Sequence, residues 1–275
     1  MFLWAALLLP IYVLISGEKL SLGSMLMCIL NMDVKWGMNY FWFIGALVGI
    51  YILFPALKAL FDSNKVAFTV LIVSVAVLTF GIVLGNQLLS LANLILGIHI
   101  SGLLEHPIFS AFNPFGVYGY SFVYFCVGGL IYTYEDRIRV ISQTKRNIIS
   151  VVGILVSCGL LFSYGVCRSV LIDGSLWDVV WNGYDTIPTF ANVIFIYVLS
   201  LNYHSNNSLI RSISCNTLGI YFLHGLIIRL TRPWVESVDA LCNLPFNILY
   251  ALAIVLVCLV ICLLVQKIPI LNKLI

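Results

Sequence analysis

The sequence predicts an all-α fold, a polytopic transmembrane helical bundle of about eight spans. Three observations carry that prediction. Hydrophobic residues make up 62% of the 275-residue chain and charged residues 9%, and the mean hydropathy is +1.08. Soluble domains carry about 25% charged residues, so this chain cannot cover its own surface with polar groups. Apolar runs recur at close to the roughly 20 residues that cross a bilayer core. Lys and Arg gather in alternate loops, as short cytoplasmic loops do. The formal charge of +3 is spread without any long run of like charge, which leaves no nucleic-acid patch.

Taken in order, Met1 to Ile15 reads as the first span. No positive charge precedes it, as a secretory signal would require. Residues 20–36 are mixed, end at Asp33, Lys35 and Trp36, and suit an interfacial segment. Asn39 to Phe61 is the second span and Val66 to Gly85 the third. Gly45 with Gly49, and Gly81 with Gly85, have the small-xxx-small spacing that lets helices approach closely. Residues 86–114 lack Lys and Arg and are broken by Pro107 and Pro114. They read as an amphipathic or re-entrant element.

Phe115 to Tyr134 is the fourth span and Ile148 to Val166 the fifth. The most charged stretch, Glu135 to Arg146, lies between them. Tyr184 to Leu201 is the sixth span, approached by Trp177, Trp181 and Tyr184 as an interfacial aromatic belt. Arg211 to Arg232 holds the seventh and Asn247 to Gln266 the eighth. No repeat, low-complexity segment or soluble domain interrupts them, so residues 1–275 read as one transmembrane domain.

Lys58 and Lys65, then Arg137, Arg139, Lys145 and Arg146, then Arg211, then Lys267 and Lys273 mark cytoplasmic segments. With eight spans both termini are cytoplasmic. The outer loops are poorer in Lys and Arg or rich in acid; the last of them is the exception, with Arg229 and Arg232 opposed by Glu236 and Asp239. None of the eight cysteines forms C-x-x-C. Most lie in apolar spans, where free Cys packs as a small hydrophobe; a Cys167–Cys242 pair near one membrane face is the alternative.

His224 stands inside the apolar run of the seventh span, in its outer half by this topology. An ionisable residue there is costly unless it faces protein or water. It reads either as a base or holder of a substrate hydroxyl, or as a structural histidine bonded to another helix. Arg229 and Arg232 read as binders of an anionic acceptor or as interface anchors. Glu105 and His106 are adjacent and so point about 100° apart on a helix, which with His99 argues against a metal site. Asp178 and Asp185 open the sixth span, with Arg168 or Arg232 as possible partners. The basic stretch Arg137–Arg146 reads as positive-inside anchoring or as a contact for donor phosphates. No G-x-S-x-G, H-E-x-x-H, Walker A or H-x4-D motif is present.

The phrase Asn216-Thr217-Leu218-Gly219-Ile220-Tyr221-Phe222-Leu223-His224 resembles a late stretch of the integral-membrane acyltransferase 3 family. Phe41 to Pro55 is similar to that family's L-W-F-L-x-A-L-x-x-x-Y-L-x-x-P helix, with Leu47 where many members carry a glutamate. Leu176 to Leu201 resembles its penultimate helix. The resemblance implies a membrane O-acetyltransferase that needs no bound cofactor. Acetyl-CoA from the cytosol would be the acyl-donor substrate, and a sugar or polysaccharide hydroxyl at the outer face the acceptor. It implies membrane lipid as the surroundings and a bacterial inner or plasma membrane as the location. Of the family's functional residues only His224 carries over. Matched in order, the first span here corresponds to the family's third, so two family helices, with their arginine and histidine, fall outside this sequence. A transporter or flippase, and a non-catalytic relative of the family, are the alternative readings.

Overall fold

The computed structural model describes residues 2–17, 19–31, 42–97, 118–172, 183–201, 203, 206–236 and 244–268. Among them the regular elements are helices and no strand occurs. They are α1 (Phe2–Ser16), α2 (Leu22–Asn31), α3 (Trp42–Ser63), α4 (Lys65–Ala76), a π-helical turn (Val77–Gly81), α5 (Ile82–Leu96), α6 (Gly119–Thr133), α7 (Glu135–Arg139), α8 (Gln143–Ile172), α9 (Ile187–Ser200), α10 (Ser208–Cys215), α11 (Thr217–Glu236) and α12 (Leu244–Val265). They cluster into two compact units, Met1–Gly45 with His204–Ile275, and Ala46–Tyr203.

The first unit is built on α1, α11 and α12. Ala5, Leu8, Leu9 and Tyr12 of α1 recur at three- and four-residue steps, so they form one apolar stripe. That stripe is buried with Phe222, Leu223 and Leu226 of α11 and Cys258, Leu259 and Cys262 of α12. Gly17 ends α1 with a left-handed φ of 71°, and its N–H still bonds the Val13 carbonyl at 3.1 Å. Only glycine takes that conformation without strain.

In the second unit, Leu57, Phe68, Ile72, Val75, Phe80, Val123 and Cys126 make the core. Phe190 of α9 adds ring contacts to Phe80 and Tyr124, at 5.0 and 5.1 Å between centroids. Asn64 caps α4 by accepting from the Ala67 N–H at 3.0 Å. Thr186 caps α9 by accepting from the Thr189 N–H at 3.3 Å. α8 and α9 run antiparallel in close contact. The close approach is at Gly153, where an added Cβ would overlap the Phe195 ring.

That position corrects the expectation for the small-residue pairs. A Cβ at Gly45, Gly49 or Gly85 would meet nothing within 4 Å, and one at Gly81 only Val77 of the same stretch. Small residues permit close approach without causing it; a bulky partner such as Phe195 has to need the space.

Two element boundaries also differ from expectation. The third span does not stop at Gly85: the helix runs unbroken from Lys65 to Leu96, 32 residues. Asn86 and Ser90, polar residues at the start of the 86–114 stretch, turn their side chains onto their own helix. The Asn86 amide donates to the Ile82 carbonyl at 2.9 Å and the Ser90 hydroxyl to the Asn86 carbonyl at 2.8 Å. Satisfied in this way, they do not end the helix. Of the amphipathic or re-entrant element expected over 86–114, residues 98–114 lie outside the described residues. The seventh span, expected as one piece from Arg211, is two helices meeting at 80°.

Four described helices are long and apolar enough to cross a membrane: Phe43–Ser63, Lys65–Leu96, Gln143–Cys167 and Pro245–Val265. The bent α10–α11 pair makes a fifth when counted as one span. The first, fourth and sixth expected spans fall on the shorter apolar helices Ala5–Ile15, Gly119–Thr133 and Ile187–Ser200. Fifteen residues of helix reach about 22 Å, against a hydrocarbon core of about 30 Å.

Candidate functional site

The candidate site is built on the bend between α10 and α11. The Asn216 side chain is 3% exposed and closes the bend from both sides. Its amide nitrogen donates back to the Ser212 carbonyl at 2.8 Å. Its amide oxygen accepts from Gln266 Nε2, past the end of α12, at 2.8 Å. Its carbonyl accepts the Ile220 N–H at 2.9 Å and so starts α11. If α11 crosses the bilayer, the 80° bend lays the amphipathic α10 along the interface.

The bend moves His224. Residues 211–216 leave the span, and His224 becomes the eighth residue of a 20-residue helix. It stands about 10 Å along an axis of about 30 Å, in the half nearer Asn216. The outer-half placement expected from the sequence counted those six residues as membrane-spanning.

His224 is half-buried. Its Nδ1 lies 2.5 Å from the Tyr221 carbonyl oxygen, which can only accept. Nδ1 therefore carries the proton, and in the neutral ring the lone pair is on Nε2. The Tyr221 ring stands 5.6 Å from the imidazole, and Phe43 stands 5.7 Å from Tyr221. Two turns further along the same face, Thr231 meets Tyr250 of α12, oxygen to oxygen at 2.5 Å. His224 thus lies between two polar contacts that tie α11 to α12.

Those two contacts escaped the sequence reading. One signal was available. The spacing from Asn216 to Thr231 matches that from Tyr250 to Gln266 to within one residue, as an antiparallel pair requires.

The structure does not bring the two arginines to the histidine. Arg229 is five residues beyond His224, about 140° around the helix. Its guanidinium lies over the Tyr12 ring of α1, 5.4 Å from the centroid, a cation–π contact. Arg232, one turn on, is exposed. In the second unit, Arg139 pairs with Glu135 at 2.5 Å, Arg137 lies over the Tyr134 ring at 5.3 Å and Lys145 is exposed. Arg146 is buried.

Asp185 sits in the turn ahead of α9, outside the helix. Burial holds its carboxyl above the usual range, against a backbone hydrogen bond that lowers it. Cys167 is a free, buried thiol. His99, Glu105, His106, Asp178, Cys242 and the Arg168 side chain lie outside the described residues.

A family model described as an acyltransferase domain, acyltransferase 3, matches residues 1–266. No curated protein and no solved structure matches the chain. The family match spans nearly the whole helical array, including the bend and His224, and the chain belongs to the acyltransferase 3 family of membrane acyltransferases.

Proposed function

We propose that this membrane acyltransferase moves an acetyl group from a cytosolic acyl-CoA to a hydroxyl of a cell-surface or lipid-linked sugar, with His224 as the base. The observation that carries this reading is the His224 ring itself. Its Nδ1–H is held by the Tyr221 carbonyl at 2.5 Å, so the neutral ring offers a lone pair at Nε2. A base of this kind works near its own pKa, and imidazole is the side chain suited to neutral pH. The acceptor hydroxyl gives its proton to Nε2 as its oxygen bonds the acyl carbon. The carbon–sulfur bond breaks, and the leaving thiolate takes the proton back.

The Lys/Arg asymmetry supports a topology with the Asn216 end of α11 and both termini cytoplasmic, in what we take as a bacterial inner or plasma membrane. His224 then stands in the half of its helix nearer a cytosolic donor. Arg229 and Arg232, nearer the other end of the helix, are the candidates for an anionic group on the acceptor.

The test is acyl transfer in membranes with labelled acetyl-CoA and extracted surface glycan. His224→Phe should lower transfer about a hundredfold or more, the usual contribution of a general base, while the protein still inserts and accumulates. Transfer equal to the unmodified chain would leave His224 as a packing residue and overturn its assignment as the base.

A further inference from the structure

Arg146 stands apart from the other cations of its stretch. Arg137, Arg139 and Lys145 are exposed, but Arg146 is only 4% exposed. Its Nη1 donates to the Ile138 carbonyl at 3.2 Å, and its Nε–H has no partner among the described residues. One turn on, Ser150 is 0% exposed and its hydroxyl has no partner among the described residues. The side-chain oxygen of Asn147 is also buried without one. The three residues lie within about 100° of one another on α8. One turn deeper, Phe195 against Gly153 closes the α8–α9 seam.

Buried polar groups without partners are rare because each loses its hydration and regains nothing. In a chain surrounded by lipid the cost is greatest for a guanidinium. The unmet groups define what would complete them. Arg146 Nε–H needs an acceptor, and an anionic one suits its charge. The Asn147 oxygen needs an N–H or O–H donor. Ser150 serves as either. Inorganic phosphate satisfies the arginine and, through its remaining P–O–H, can serve one further acceptor, but it has no chain to extend along the helix. A phosphopantetheine arm carries a phosphate beside a hydroxyl and an amide, within the length of two helical turns.

We infer that the first two turns of α8 hold the phosphopantetheine arm of a thioester acyl donor. Arg146 binds its phosphate, and Asn147 and Ser150 its hydroxyl and amide groups. The assignment rests on the donor reading proposed above. The charge asymmetry supports a cytoplasmic position for this end of α8, where such a donor is found. Coenzyme A and acyl carrier protein share the arm.

The experiment measures affinities of the purified full chain in nanodiscs for coenzyme A, 4′-phosphopantetheine, pantetheine and a holo acyl carrier protein. Arg146→Gln should weaken coenzyme A and phosphopantetheine about tenfold and leave pantetheine unchanged, since a hydrogen bond to a charged group is of that size. Ser150→Ala should weaken all of them. Its melting temperature should stay level or rise, because it deletes a buried hydroxyl that nothing pairs. That combination separates a ligand contact from a structural role, and Ser150→Ala carries the test if Arg146→Gln does not accumulate. Tighter binding of the carrier protein than of coenzyme A, or the reverse, names the source of the arm, and either supports the site. If the unmodified chain binds coenzyme A and both variants bind it equally, the site is wrong and the donor reading stands. If the unmodified chain binds none of the four, both fall.

Discussion

The α11–α12 pair and the α8–α9 pair differ in how they treat buried polarity. Along α11–α12, Asn216 meets Gln266 and Thr231 meets Tyr250, so polar side chains buried there serve as ties between helices. Along α8–α9 the Asn192 amide donates to Cys158 Sγ at 3.1 Å, but Arg146, Asn147, Ser150 and Asn192 each keep a buried atom without a partner among the described residues. The tightest contact of that pair is apolar, Phe195 on Gly153. Lipid offers no hydrogen bonds. A buried polar group in such a chain is therefore either paired by the fold or kept for something that arrives later. The first pair fixes a bend and the position of His224, and the second carries the inferred donor site.

The comparison breaks most readily at Gly153. Gly153→Ala should cost about 1–3 kcal/mol by overpacking, and Gly153→Leu should prevent accumulation of folded protein in detergent. Phe195→Ala should restore part of the loss, which thermal unfolding followed by size-exclusion chromatography would register. Next in size is the Asn216–Gln266 tie. Gln266→Leu leaves the Asn216 oxygen buried and unpaired, at about 1–3 kcal/mol. A double-mutant cycle with Asn216→Leu should return a coupling of up to about 1.7 kcal/mol; additive single effects would mean that the tie contributes nothing.

The sign of two hydroxyl deletions sharpens the contrast. Thr231→Val, which loses its bond to Tyr250, should destabilise by about 0.6 kcal/mol, whereas Ser150→Ala should not destabilise at all. Equal losses would erase the distinction between the two pairs. The smallest effect concerns Asp185. A carboxyl whose folded pKa is raised adds stability below its unfolded pKa and loses it as pH rises through the folded value. Asp185→Asn should therefore raise the melting temperature slightly near neutral pH and lose that gain below about pH 4. A gain that is independent of pH would remove burial of the charge as its cause.

Much of the fold was legible because it depends on local composition. Apolar runs placed α1, α3, α6, α8, α9 and α12 near their observed positions. The phrase from Asn216 to His224 pointed to the family that the whole-chain match shows. What misled was reading the polar, proline-containing 86–114 stretch as one element separate from the third span. Asn86 and Ser90 sit inside a continuous helix with their side chains bonded to it, while Asn216, of the same chemistry, sits at a true bend. Asn216 also meets a partner 50 residues away, Gln266, which fixes the bend to the end of α12.

By itself, then, the sequence determined that the chain lives in a membrane, where most of its helices lie, and that a histidine stands within an otherwise apolar helix. Those properties follow from hydrophobicity and residue type along one coordinate. Only the tertiary structure decided which of four neighbouring cations is buried, where the seventh span starts, and which small residue faces a ring. Each of those depends on the rotation and depth of one helix against another. The pattern of a single helix does not encode them, because Arg139 and Arg146 have the same chemistry until Glu135 reaches one and the packed end of α8 buries the other.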